Sequence, residues 1–88
     1  MTDKEKEFLQ RFLQDYWRDA IYAKKNAMEL QTLEAEISSV WNDGLAKGFR
    51  NCCYLVLNFP DGGRLFEVMD EVDGWTKEVE EKHGISLE

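Results

Sequence analysis

Proline and histidine each occur once in the chain, as Pro60 and His83, and the only two cysteines, Cys52 and Cys53, are neighbours. Each scarcity excludes something. Adjacent cysteines are poorly placed to staple a small fold by a disulfide. A single histidine, with no cysteine or second histidine at ligand spacing, leaves no zinc motif. In "EEKHG" that histidine lacks a neighbouring nucleophile and an orienting acid, so it reads as a helix-end imidazole favoured by the helix dipole, not as a base. No catalytic residue is assigned, and a non-enzymatic protein needing neither cofactor nor metal is expected. Long apolar runs are missing too: no window reaches the roughly 20 residues of a membrane span. The charged opening "MTDKEKEF" is no secretory signal. Together with unpaired cysteines this points to the cytoplasm.

Positive charge is scarce, and unevenly so. The net charge is −7. Residues 1–59 hold nine acids and eight bases (−1), while residues 60–88 hold nine acids and three bases (−6). Lysine and arginine are what neutralise phosphates, so direct nucleic-acid binding is not expected. Asp70, Glu71, Asp73, Glu78, Glu80 and Glu81 crowd into twelve residues. As a metal loop they lack the register of an EF-hand. As a helix face they make an acidic surface suited to a protein partner with a basic surface.

Glycine is absent up to Asp43, and this defines the first element. "TDKE" is a capping box with Thr2 as N-cap and Glu5 reaching back. Apolar or small residues then recur as Leu9, Leu13, Tyr16, Ala20, Ala23, Ala27, Leu30, Ile37 and Trp41, a seam for lengthwise packing against another helix. "NDG" at Asn42 to Gly44 reads as its stop. A helix over about 3–42 is expected, with "KKNAME" around Asn26 as the alternative break into a helical hairpin. Forty helical residues span roughly 60 Å, longer than a globule of this size, so a homodimer packed along the seam is expected.

Beyond it, "CCYLVLNF" from Cys52 to Phe59 is rich in β-formers. "PDGG" follows as a turn, with positive φ at Gly62, and "RLFEV" from Arg64 to Val68 completes a two-stranded hairpin over about 52–68. On a strand, Cys52 and Cys53 point to opposite faces, so one at most is buried. A terminal helix over about 69–83, ended by Gly84, closes a single domain of residues 1–88. The closing Leu87 and Glu88 are given no structural weight. The fold class is therefore α+β, in the order α-β-β-α, with Trp17, Trp41 and Trp75 anchoring the core and any left exposed serving as partner anchors.

Size and charge together suggest a small acidic protein-binding module. Accessory proteins of phages and mobile elements include chains of this sort that inhibit or regulate a basic, nucleic-acid-handling partner. The competing reading is a structural coiled-coil adaptor whose long helix is the interaction surface.

Overall fold

A computed structural model describes residues 1–59 and 64–88, which form three α-helices and, among the described residues, no strand. Helix α1 runs Asp3–Leu30, α2 runs Leu33–Asn58 and α3 runs Leu65–His83, followed by a short tail to Glu88. The molecule is elongated, 45 × 22 × 21 Å. Its long dimension is about that of α1 itself, at 1.5 Å per residue.

The N-terminus forms as its sequence dictates. The Thr2 hydroxyl accepts from the Glu5 amide at 3.2 Å, and the Glu5 carboxylate accepts from the Thr2 amide at 3.1 Å. The expected 40-residue helix, however, is two helices. Gln31 adopts the left-handed conformation (φ 52, ψ 35) and caps α1 through its amide on the Ala27 carbonyl. Thr32 is extended and its hydroxyl accepts from the Ala35 amide at 3.2 Å, while Glu34 and Glu36 in the first turn of α2 suit the dipole. The break therefore comes five residues after Asn26, at a site with neither glycine nor proline. Its sequence signal is Thr32 followed by two acids.

The β-hairpin is the larger correction. Asn42 to Gly44 do not stop a helix, because α2 continues through them and through the whole of Cys52–Asn58. The "RLFEV" segment lies largely in the first turn of α3, which begins at Leu65, four residues before the expected start. A short apolar run with apolar residues on every side is ambiguous between strand and helix. Here the helix wins because the run divides between two faces. Cys53 is buried and Leu57 half-buried toward the core, whereas Cys52, Leu55, Val56 and Phe59 are exposed. Val68, Val72, Trp75 and Val79 recur at helical spacing and are all buried. The expected turn at Pro60–Gly63, including Gly62, lies outside the described residues.

The core is built mainly by α1 and α3. Leu13, Trp17, Ala20 and Ile21 of α1 are completely buried against the α3 stripe. Trp17 and Trp75 anchor it; Trp41 does not, being 68% exposed. From α2 the core takes only Ala46 and Cys53, with Phe49, Tyr54 and Leu57 half-buried at its edge. Small residues let helices approach closely, which suits a chain with little apolar volume to enclose.

The tail, given no weight from sequence, is part of this core. Leu87 is buried. Its amide donates to the Glu80 carboxylate at 2.8 Å, its carbonyl accepts from Lys47 Nζ at 2.9 Å, and Glu88 pairs with Arg50. Lys24 Nζ holds the Ser86 carbonyl at 2.7 Å. Gly84 (φ 70) turns the chain out of α3 into this position.

The helical reversal has a signed test. A non-glycine residue in the left-handed region costs about 1–2 kcal/mol, whereas glycine within a helix costs about 0.5–1 kcal/mol relative to alanine. Gln31→Gly should therefore raise the melting temperature by several degrees, on the scale of 4–8 °C per kcal/mol for a domain this small. Thr32→Ala should lower stability by about 1 kcal/mol. A Gln31→Gly variant that melts lower would mean that the helix runs on through this point.

Candidate interaction surface

The unusual feature of the molecule is what α2 shows to solvent. Leu33, Ile37, Val40, Trp41, Leu55 and Phe59 are 60–86% exposed, and Leu45 and Val56 are each 44% exposed. From Ile37 to Phe59 every exposed residue of this segment is uncharged: Ile37, Ser38, Val40, Trp41, Gly44, Leu45, Gly48, Asn51, Cys52, Leu55, Val56 and Phe59. One third of the chain is charged. The charges of this part of α2 lie instead on its inner flank, where Lys47 pairs with Asp43 at 3.2 Å and Arg50 pairs with Glu88. Only the first turn of α2 exposes charge, through Glu34 and Glu36.

The surface has a rim on α1. Phe8 and Phe12 stack edge to face at 4.5 Å between centroids, and Phe12 and Tyr16 lie 6.4 and 5.2 Å from the Phe49 ring. All three α1 aromatics stay more than a third exposed. Met1, Lys4, Phe8 and Leu9 form a shallow groove with Val56 at this end, and Leu33, Ile37, Val40 and Trp41 line another at the opposite end of α2.

Two glycines sit within the exposed face. Gly44 and Gly48 have open space where a Cβ would stand and no left-handed φ. Each therefore costs the helix about 0.5–1 kcal/mol relative to alanine, and among the described residues nothing lies close enough to require a glycine there.

The residues expected to form a dimer seam are dispersed by the helical reversal. Leu13 and Ala20 are buried inside the monomer, Leu9, Ala23 and Ala27 are half-buried, and Tyr16 and Leu30 are exposed on α1. Ile37 and Trp41 belong to α2 and lie on the apolar face just described. The α1 period registers packing within the chain.

The six carboxylates of α3 are likewise divided. Asp73 accepts from the Tyr54 hydroxyl, Glu80 accepts from Trp17 Nε1 at 3.2 Å, Glu78 accepts from Gln14 Nε2 at 3.3 Å and Glu71 pairs with Lys6 at 2.5 Å. These four fasten α3 to α1 and α2. Asp70 and Glu81 are exposed and form no ion pair among the described residues.

Arg50 organises the inner flank of α2. Its guanidinium lies 5.4 Å from the Trp17 ring and 5.8 Å from the Tyr54 ring, within cation–π range. It holds the Glu88 carboxyl below its ordinary range. Burial, then the Asp73 hydrogen bond, push the Tyr54 phenol from 10.0 up to about 12. Burial, then the neighbouring Cys52, push the Cys53 thiol from 9.0 up to about 11. His83 is in the last turn of α3, its ring edge-on to Tyr22 at 5.2 Å.

No protein-family model, curated protein or solved structure matches this chain.

Two outcomes follow from these ionisations. Cys52 is exposed and Cys53 buried, so a thiol reagent should modify Cys52 first, and a Cys52→Ser variant should react only as fast as the chain unfolds. Rapid modification of that variant would place Cys53 outside the core. The Tyr54 and Cys53 groups both bind their protons more tightly folded than unfolded. Their contribution to stability is therefore complete below pH 9.0 and is lost as pH rises toward about 12. The melting temperature should fall across that window, and Tyr54→Phe should make the fall shallower; an unchanged slope would contradict the assigned role of Tyr54.

Proposed function

We propose that the chain is a non-enzymatic protein-binding module whose contact surface is the outer face of α2. The observation that carries this is the charge-free run of exposed residues from Ile37 to Phe59. Six large apolar side chains on this face are 60–86% exposed, and exposed apolar surface gathered on one face of a soluble protein marks an interaction site. Depletion of charge with enrichment of aromatics is the composition of an interface centre, and Trp41 and Phe59 are the kind of anchors that dominate such contacts. Among the described residues no helix is long and apolar enough to cross a membrane. Both cysteines are free, which suits a reducing compartment, and the cytoplasm is the proposed location.

The outward edge of α3 supports a second, electrostatic role. Glu67, Asp70 and Glu81 face solvent there on a chain of net charge −7. Such a field speeds encounter with a protein that carries a basic surface, including one that handles nucleic acid, and repels nucleic acid itself.

Charge on the apolar face is the test. In-cell crosslinking of the wild-type chain should give species larger than the chain. An Ile37→Asp/Leu55→Asp variant should lose them while keeping a cooperative melt, because both side chains are already exposed. An Asp70→Asn/Glu81→Gln variant should keep them and lose only their sensitivity to salt. If the crosslinked species survive the aspartates unchanged, α2 is not the contact surface.

A further inference from the structure

The tail from Ile85 to Glu88 is fastened by side chains, and each helix supplies at least one. Lys24 of α1 donates to the Ser86 carbonyl at 2.7 Å, and Lys47 of α2 to the Leu87 carbonyl at 2.9 Å. Glu80 of α3 accepts from the Leu87 amide at 2.8 Å, and Arg50 of α2 pairs with Glu88. Three of these four anchors also hold a partner within the helices. Glu80 accepts from Trp17 Nε1 at 3.2 Å, Lys47 pairs with Asp43 at 3.2 Å, and Arg50 lies 5.4 Å from the Trp17 ring and 5.8 Å from the Tyr54 ring.

Those second contacts survive if the tail leaves. So do the bonds of α3 itself, from Gln14 to the Trp75 carbonyl and from Tyr54 to Asp73. The apolar hold of the tail is slight, with Leu87 buried and Ile85 half-buried, against the buried Val68, Val72, Trp75 and Val79 of α3. At the root of the tail Gly84 stands at φ 70, and among the described residues nothing lies within 4 Å of where its Cβ would be. Hinges are a few element-terminal positions of this kind, able to absorb a change of backbone angle.

We infer that Ile85–Glu88 is a strap, hinged at Gly84, that opens and closes as a unit over an intact three-helix bundle and seals the Trp17 indole when closed. The Leu87 amide and Trp17 Nε1 donate to the same oxygen of Glu80, Oε2, so strap and indole lie side by side. Closed, the strap shields that bond from water and gives Arg50 its carboxylate. Open, it leaves the indole N–H and the Arg50 guanidinium reachable while the helices stay packed. Local openings of this kind need far less free energy than global unfolding. The strap acts on the inner flank of α2 and does not depend on what meets the outer face.

Hydrogen exchange of the full chain, read by nuclear magnetic resonance, tests this. The Leu87 amide and the Trp17 indole N–H report on the strap, and the Val72 and Val79 amides report on the bundle. In the wild type the strap reporters should exchange faster and with little dependence on urea, because a small opening exposes little surface. The bundle reporters should show the steep urea dependence of global unfolding. A Lys24→Met/Glu88→Gln chain loses two fastenings whose side chains lie outside the core. Its strap reporters should exchange about tenfold faster, with the bundle reporters within about twofold of wild type. Strap reporters that share the urea dependence of Val72 and Val79 in the wild type overturn the inference, since the tail then leaves only when the bundle unfolds. A double variant that speeds all four sites alike, or speeds neither strap reporter, overturns it equally.

Discussion

The division of α2 between small and large side chains governs the architecture. Only Ala35, Ala46 and Cys53 of its residues are buried, so α1 and α3 close around Trp17 with α2 laid against them through its small side. Apart from Phe49, Tyr54 and Leu57 at the core's edge, the larger apolar residues of α2 have then no place in it. They are displaced to the outside, where they lie as one uncharged surface along a helix of 26 residues. A globular fold minimises apolar exposure, so this distribution is costly for an isolated chain and becomes favourable once the outer face is covered.

The acidity of the C-terminal third has a structural share that composition conceals. Glu80 joins Trp17 of α1 to the amide of Leu87, and Asp73 joins α3 to Tyr54 of α2. Hydrogen bonds to a carboxylate are stronger than those between neutral groups, particularly where water is partly excluded. The tail from Ile85 to Glu88 is further secured by bases, with Lys24 and Lys47 donating to the Ser86 and Leu87 carbonyls and Arg50 pairing with Glu88. Acidic residues thus hold α3 and the tail in register, while Glu67, Asp70 and Glu81 on the outer edge set the field that an approaching protein meets.

The capping box at Thr2, the apolar period of α1 and the end of α3 at Gly84 were legible in the sequence. The reversal at Gln31 was not, because a left-handed glutamine announces itself by no residue type; only Thr32 and the two acids after it mark the spot. The misread strand has a different cause. Over "CCYLVLNF" the apolar residues serve two surfaces at once, Cys53 and Leu57 inward and Leu55 and Phe59 outward, and this erases the helical period that a one-sided helix would show. The candidate surface was hidden by the same continuity. Ile37 and Trp41 were expected in the seam of one long helix over about 3–42, and the reversal moves them to the outside of α2.

The account turns on whether the outer face of α2 is a contact surface. Site-specific in-cell photocrosslinking, from a reactive side chain placed in turn at Ile37, at Leu55 and at the exposed Glu29 of α1, reads this most directly. The predicted result is a discrete crosslinked species from Ile37 and from Leu55, with none from Glu29. Crosslinks from Glu29 alone, or none from any of the three, would contradict it.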